Sequence, residues 1–359
     1  MKLLRLANTI NSTSAPYNQF SLGLKNHIDQ TFCSLYRPLV DVDKKINFFH
    51  GNGSILKIYK SIKATIKSTE YDVVHIHSGL MGIIFLLSIF PNQLCLLNKS
   101  VFTLHNSWNV LKARNKFLNF IVMLTVKKIC TCGISSNKSI PYLINLFIQK
   151  KCQTIINGFN HERMDEVARS HKKILYFDNN PRIKFVCIGA FNKTKNQISL
   201  LNALREYSFN FELIFLGEGP KRKELMNYSK NISNVSKIAF KGRVSRDTAI
   251  KHMLEADVSI SVSKGEGLPI AVLESMYAGC FLILSDIPPH KEISPPSERC
   301  IFINPDNKNE IIKSIKYVLD NHRLIRSLRS KSKQHAIQKF SAEEMLKNYL
   351  RIYKSLENK

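Results

Sequence analysis

A chain of 359 residues with 44% hydrophobic composition can bury the cores of two ordinary domains, which excludes wholesale disorder. Its formal charge of +26 is unevenly spread, with 19 Lys and Arg against five acids in residues 1–160, and such a balance favours an anionic partner. Eight cysteines lie mostly in apolar runs with no Cys-x-x-Cys pair, so a disulfide-built module is excluded and free thiols in a reduced cytoplasmic setting are expected.

In chain order, the opening "KLLRLAN" reads as a strand, being too short and too soon polar for a signal segment. "TFCSLY" follows as a second. "SILKIYKSIKATIKST" predicts an amphipathic helix with Ile55, Ile58, Ile62 and Ile66 on one stripe and Lys57, Lys60, Lys63 and Lys67 along its flank. Such a helix can cover a sheet and turn four ammonium groups toward an anionic membrane. After the strand "YDVVHIH", the uncharged run 79–98 nears the length of a membrane span, but Pro91-Asn92-Gln93 interrupts it, so a buried helix is expected. His75 and His77 read as hydrogen-bonded strand-end histidines. "SVFTLHN", "ICTCGIS" and "CQTIIN" complete the first set of strands, with Cys130-Thr131-Cys132 as strand packing and not a metal site.

At "NGFNHERMDEVARSHKK" the strand pattern stops and polar residues take over. Six further strands follow: "IKFVCIGAF", "FELIFLG", "KIAFKG", "ADVSISVS", "CFLILSD" and "CIFINP". Strands alternating with helical patterns indicate parallel βαβ units, hence two Rossmann-like α/β domains. The expected division is 1–160 for an acceptor domain, 161–338 for a nucleotide domain, and 339–359 for a last helix packing back on the first. That helix opens with a Ser-x-x-Glu capping box, Ser341 to Glu344.

The stretch "GEGLPIAVLE" sets Glu266 in a loop beyond a strand's carboxyl end and Glu274 about a turn and a half into the next helix. Open parallel sheets bind ligands at that edge. The amides of Gly267 and Leu268, with the helix dipole, suit a phosphate, whereas the carboxylates suit hydroxyls. A ligand offering both is a nucleotide sugar, so the carboxylates are expected to find their partners on the ligand.

Over more than thirty residues, "SVSKGEGLPIAVLESMYAGCFLILSDIPPHKEI" resembles the donor-site signature of the retaining glycosyltransferases of the GT-B fold, family 4. The resemblance implies two Rossmann-like domains facing a cleft, Glu266 toward the transferred sugar, Glu274 on the ribose, and backbone donors at Gly267 and Leu268. "CIGAFNKTKNQISLLNAL" resembles the first strand and helix of the family's nucleotide domain, which implies Lys195 against the diphosphate. "LIFLGEGPKRKEL" and "IAFKGRVS" imply Gly217, Gly219 and Arg243 near base and phosphates, and "VFTLHNSW" implies His105 at the sugar. Where the family carries an arginine this chain has Ala190, leaving Lys193 to reach the same anion without a bidentate fork. Where the family has a glycine-rich turn, Ser12, Ser14 and Ala15 would line the acceptor cleft.

The function expected is a retaining, metal-independent hexosyl transfer from a nucleoside-diphosphate sugar, UDP-linked by preference, to a hydroxyl of a growing surface glycan. Glu266, His105 and Lys195 carry the chemistry, and no cofactor or metal is called for. Asp41-Val42-Asp43 reads as solvated surface. A polyprenyl-pyrophosphate-linked acceptor and an anionic membrane surface are the expected partners, with the enzyme cytoplasmic and peripheral on the inner face of the membrane. The competing readings are a nucleotide-sugar 2-epimerase of similar build and a basic, non-catalytic protein for nucleic acid or membrane. The acidic pair Glu266/Glu274 speaks against a polyanion and so against nucleic acid.

Overall fold

The apolar runs of the first half become strands because a parallel sheet buries them on both faces. In the computed structural model, which describes residues 1–11, 16–171, 182–205, 208–232, 235–293 and 295–357, they are β1 (Lys2–Ala7), β2 (Asp29–Ser34), β3 (Ile46–His50), β4 (Val73–Ile76), β5 (Ser100–Leu104), β6 (Lys128–Thr131) and β7 (Cys152–Thr154). Ser12, Ser14 and Ala15 lie outside the described residues. The sheet order is β3-β2-β1-β4-β5-β6-β7, every pairing parallel. The sequence reading missed β3. It is an edge strand of which only Ile46 is buried, so its apolar signal is weak.

Side chains alternate between the two faces of this sheet. Leu4, Leu6, Val74, Ile76, Phe102 and Ile129 meet helices Ile55–Ser68, Gly79–Ile89 and Ala113–Thr125 on one side. On the other, Leu3, Val73, Val101 and Cys130 meet Met345, Tyr349, Ile352, Tyr353 and Leu356, the inner stripe of the closing helix Ala342–Glu357. Cys130 is therefore sheet core. Ile55 does not join the expected stripe: it is 52% exposed in the first turn after the Ser54 cap, ahead of Ile58, Ile62 and Ile66, which are buried. The uncharged run forms the 11-residue helix Gly79–Ile89, with Met81, Ile84, Phe85 and Ile89 buried. Among the described residues, no helix is long and apolar enough to cross a membrane.

The second half forms β8 (Ile183–Ile188), β9 (Phe209–Leu216), β10 (Val235–Gly242), β11 (Val258–Ser261), β12 (Phe281–Ser285) and β13 (Cys300–Ile303), in the order β10-β9-β8-β11-β12-β13 and again parallel. The order reverses between β8 and β11, the place where such sheets open a crevice at their carboxyl ends. The chain thus folds as two parallel α/β units, Met1–Gly158 with Ala342–Lys359, and Phe159–Ser341. The division falls two residues before and three after the boundaries drawn from sequence. Phe159 is buried, and its amide donates to the Phe340 carbonyl at 2.9 Å, so both residues belong to the second unit.

Candidate active site

In the second unit, the loop after β8 carries Lys195 and the loop after β11 carries Glu266, so the two side chains flank the reversal of strand order. The Lys264 amide ties the loops together by donating to the Thr194 carbonyl at 2.8 Å. Lys195 Nζ then donates to Glu266 Oε1 at 2.5 Å. Burial pushes the Glu266 carboxyl up, but the Lys195 ammonium, helped by His290 and a hydrogen bond from Ser263, leaves it below the ordinary carboxylate range. Glu266 is a buried anion held in charged form.

Glu274 lies in helix Ile270–Tyr277 and is 3% exposed. Its Oε1 accepts from Arg246, which opens helix Arg246–Glu255 behind the Ser245 cap at the carboxyl end of β10. Its Oε2 is buried and has no hydrogen-bond partner among the described residues. Burial, opposed by Arg246, raises the Glu274 pKa above the ordinary value. Neither carboxylate depends on a ligand alone for a partner. Each has a protein base on one oxygen, because a bare carboxylate in that interior would cost several kcal/mol. Arg246 was not foreseen. Its signal was faint: an arginine directly after a capping serine, three residues beyond Arg243.

The other expected residues divide by environment. The Gly267 and Leu268 amides enter no hydrogen bond among the described residues and sit just ahead of the Ile270–Tyr277 helix. Lys193 and Arg243 are exposed. Gly217 and Gly219 have a packing reason of their own. A Cβ on Gly217, at φ +153°, would stand 1.9 Å from the Gly189 carbonyl oxygen, and one on Gly219 2.4 Å from that of Phe191. These glycines let neighbouring strand ends close on one another. Asp43, from the early Asp-x-Asp triplet, takes a hydrogen bond from Lys25 at 2.6 Å and one from the Lys45 amide at 3.0 Å. Among the described residues, no group of three or more His, Cys, Asp or Glu could hold a metal ion.

His105 belongs to the first unit, in the loop after β5, half-buried at the edge of a buried basic cluster. Arg5 on β1 is fully buried; its Nε donates to Gln30 at 3.1 Å, and its Nη1 lies 3.1 Å from His75 Nδ1 and 3.4 Å from His77 Nε2. Guanidinium only donates, so both ring nitrogens accept. His77 must then carry its proton on Nδ1, 2.9 Å from His105 Nε2, which accepts it. His105 is left with its proton on Nδ1. Burial lowers its pKa to about 4, and burial with Arg5 and the other rings holds His75 and His77 well below the ordinary value. His75 is thus a core residue of β4, bonded to Tyr353 at 2.6 Å and Thr103 at 2.7 Å.

Residues 169–338 match the family model of glycosyl transferases group 1. That segment contains Lys195, Arg246, Glu266 and Glu274. The capsular polysaccharide biosynthesis glycosyltransferase CapH of Staphylococcus aureus is 27% identical over 66% of the chain and 65% of its own length. The N-acetylgalactosamine-N,N'-diacetylbacillosaminyl-diphospho-undecaprenol 4-alpha-N-acetylgalactosaminyltransferase of Campylobacter jejuni is 25% identical over 66% of the chain. It is matched over 62% of its own length, so the chain spans just under two thirds of either relative. HepE of Anabaena, solved with UDP and glucose, shares the fold, with a TM-score of 0.76, 14% identity, and 99% of this chain and 100% of that one covered. The two parallel-sheet units are those of the GT-B glycosyltransferase fold.

Proposed function

We propose that the chain is a retaining glycosyltransferase of family 4 that moves a hexosyl group from a nucleoside-diphosphate sugar, of the UDP class, to a hydroxyl of a lipid-linked surface glycan. The observation that carries this reading is the half-satisfied Glu274. Arg246 holds one oxygen and the other is buried without a partner among the described residues, an acceptor suited to a ribose hydroxyl. Lys195 and the unengaged amides of Gly267 and Leu268 supply positive charge for the diphosphate. When a phosphate oxygen takes over the Lys195 ammonium, the Glu266 carboxylate is released to accept from sugar hydroxyls. As the diphosphate departs, charge stabilisation by Lys195 and the amides lowers the barrier, with the exposed Lys193 as a second cation. Neutral His105 offers the sugar an N–H from Nδ1.

A UDP donor is supported by the UDP and glucose bound in the Anabaena relative of the fold, and a diphospho-polyprenol acceptor by the name of the Campylobacter relative. We place the reaction at the cytoplasmic face of a membrane, where such an acceptor is anchored, and without a divalent metal. The test is incubation with a panel of nucleotide sugars and a synthetic polyprenyl-diphosphate glycan, reading released nucleoside diphosphate and the anomeric configuration of the product. Release that persists in excess EDTA, with retained configuration, is the expected result. Loss in EDTA restored by magnesium would overturn metal independence, a free 2-epimer would make the protein an epimerase, and no binding of any nucleotide sugar by calorimetry would end the reading.

A further inference from the structure

From residue 73 to residue 161 the sequence contains no Asp or Glu, yet it carries nine Lys and Arg. Within that span, helix Tyr142–Ile148 ("YLINLFI") packs beside helix Ala113–Thr125. Ile148 is buried and Ile144 packs against the core, which fixes the short helix on the unit. Its other face is turned to solvent: Tyr142 is 75%, Leu143 72% and Phe147 69% exposed, with Leu146 beside them. On the neighbouring helix Phe117 and Leu124, seven residues apart and so on one stripe, are exposed as well. Lone apolar side chains on a surface are ordinary, but aromatic and aliphatic groups gathered on two adjacent helices mark an interaction face. Around them stand Lys112 and Arg114 at the start of one helix, Lys138 ahead of the other and Lys150 just after it, all exposed.

We infer that this face, and not the lysine flank of helix Ile55–Ser68, docks on an anionic lipid leaflet. The inference rests on the membrane placement proposed above and names the surface responsible. An apolar patch with cations beside it, in a span of sequence without one acid, matches the interface of such a bilayer, where rings and aliphatic chains enter the headgroup layer and ammonium groups meet lipid phosphates. Helix Ile55–Ser68 lacks the apolar half of that design. Its outward face shows Lys57, Lys60 and Lys67, its large exposed apolar residues are confined to Ile55 and Leu56 in the first turn, and Lys63 is folded onto the Tyr59 hydroxyl at 3.1 Å.

The test is cosedimentation of the full chain with vesicles of phosphatidylcholine alone or mixed with phosphatidylglycerol. Three proteins are compared: wild type, the triple variant Tyr142→Ser/Leu143→Ser/Phe147→Ser, and the quadruple variant changing Lys57, Lys60, Lys63 and Lys67 to Gln. Circular dichroism and the thermal midpoint check folding, and Phe117→Ser, on a second helix, provides an independent perturbation. Wild type is expected to bind the anionic vesicles, the triple variant to bind at least about tenfold more weakly, and the quadruple variant to lose about threefold at most. Binding retained by the folded triple variant, or abolished in the quadruple variant, overturns the assignment while leaving membrane association intact. Absence of wild-type binding to either vesicle overturns both. A concentration-dependent dimer that the triple variant abolishes, with no vesicle binding, would give the face to a second copy of the chain and also overturn the proposal.

Discussion

In the second unit two buried carboxylates each hold a base, Glu266 with Lys195 and Glu274 with Arg246, whereas in the first unit Arg5 is buried among Gln30, His75 and His77 with no carboxylate against it among the described residues. Composition bears on the surroundings of Arg5. Five acids in the first 160 residues leave few anions to place inside, so the buried guanidinium is solvated by neutral acceptors instead. Ion pairs at a sheet's open edge can trade one partner for a ligand's charge. A cation among neutral rings has nothing to trade, and what it does is fix proton positions, through His77 to His105.

The largest effect should come from breaking a pair on one side. Arg246→Met leaves Glu274 buried with neither oxygen compensated and is expected to destabilise by about 3–5 kcal/mol, read as a fall in the urea midpoint of the second unit's transition. A Glu274→Leu/Arg246→Met double variant should recover most of that loss. If the single variant is as stable as wild type, the pair is not the structural element described.

Next come the two glutamates. Glu274→Gln should weaken nucleotide binding by about 1.5–3 kcal/mol, while Glu266→Gln should chiefly lower turnover by a similar free energy. Calorimetry and steady-state kinetics on both variants test this split, and full wild-type affinity and turnover in both would break the functional reading of the pair.

Acid should act on the buried histidines of both units. The pKa values of His75, His77 and His105 are depressed on folding, that of His105 to about 4, so the unfolded chain takes up protons first as pH falls below 6.5. The stability these rings contribute is full above 6.5 and is lost as pH falls toward 4, each tenfold difference in proton affinity between folded and unfolded chain corresponding to about 1.4 kcal/mol. Glu266, also depressed, begins to lose its contribution only below the ordinary carboxyl value of 4.5. Thermal midpoints measured from pH 7.5 to 5 should therefore fall, and because burial also lowers His290 and His252 in the second unit, near-ultraviolet signals from Trp108 and Tyr349 report the first unit's share of the loss. A flat profile over that range would contradict neutral buried rings.

The smallest stability change is expected for Arg5→Met, within about 1 kcal/mol, because lost hydrogen bonds are offset by removing an unpaired buried charge. Its readout is elsewhere. Without a permanent donor at His77 Nε2, the relay no longer fixes His105 with its proton on Nδ1, and the ring resonances in a nitrogen-15 spectrum should show a mixture of tautomers. A loss of stability matching that of Arg246→Met would make Arg5 a structural anchor like the paired bases.

Much of this could be read from the order of residues alone. Runs such as "FVCIGA" and "CFLIL", apolar on both faces, leave little choice but a doubly covered parallel sheet, and the spacing of Glu266 and Glu274 across a strand-turn-helix placed both near its carboxyl edge. β3 escaped because an edge strand needs only one buried side chain, and Ile55 was misassigned because helical periodicity cannot say where a helix first meets its sheet. What the tertiary structure alone decided was the company each charge keeps. Arg246 and Glu274 are 28 residues apart, Lys195 and Glu266 are 71, and Arg5 and His77 are 72, contacts made only when separate strand ends are set side by side. Local sequence encodes a strand's period and a helix's cap. It does not encode which strand lies next to which, and a buried charge takes its partner from across that boundary, because an unpaired one there would cost several kcal/mol.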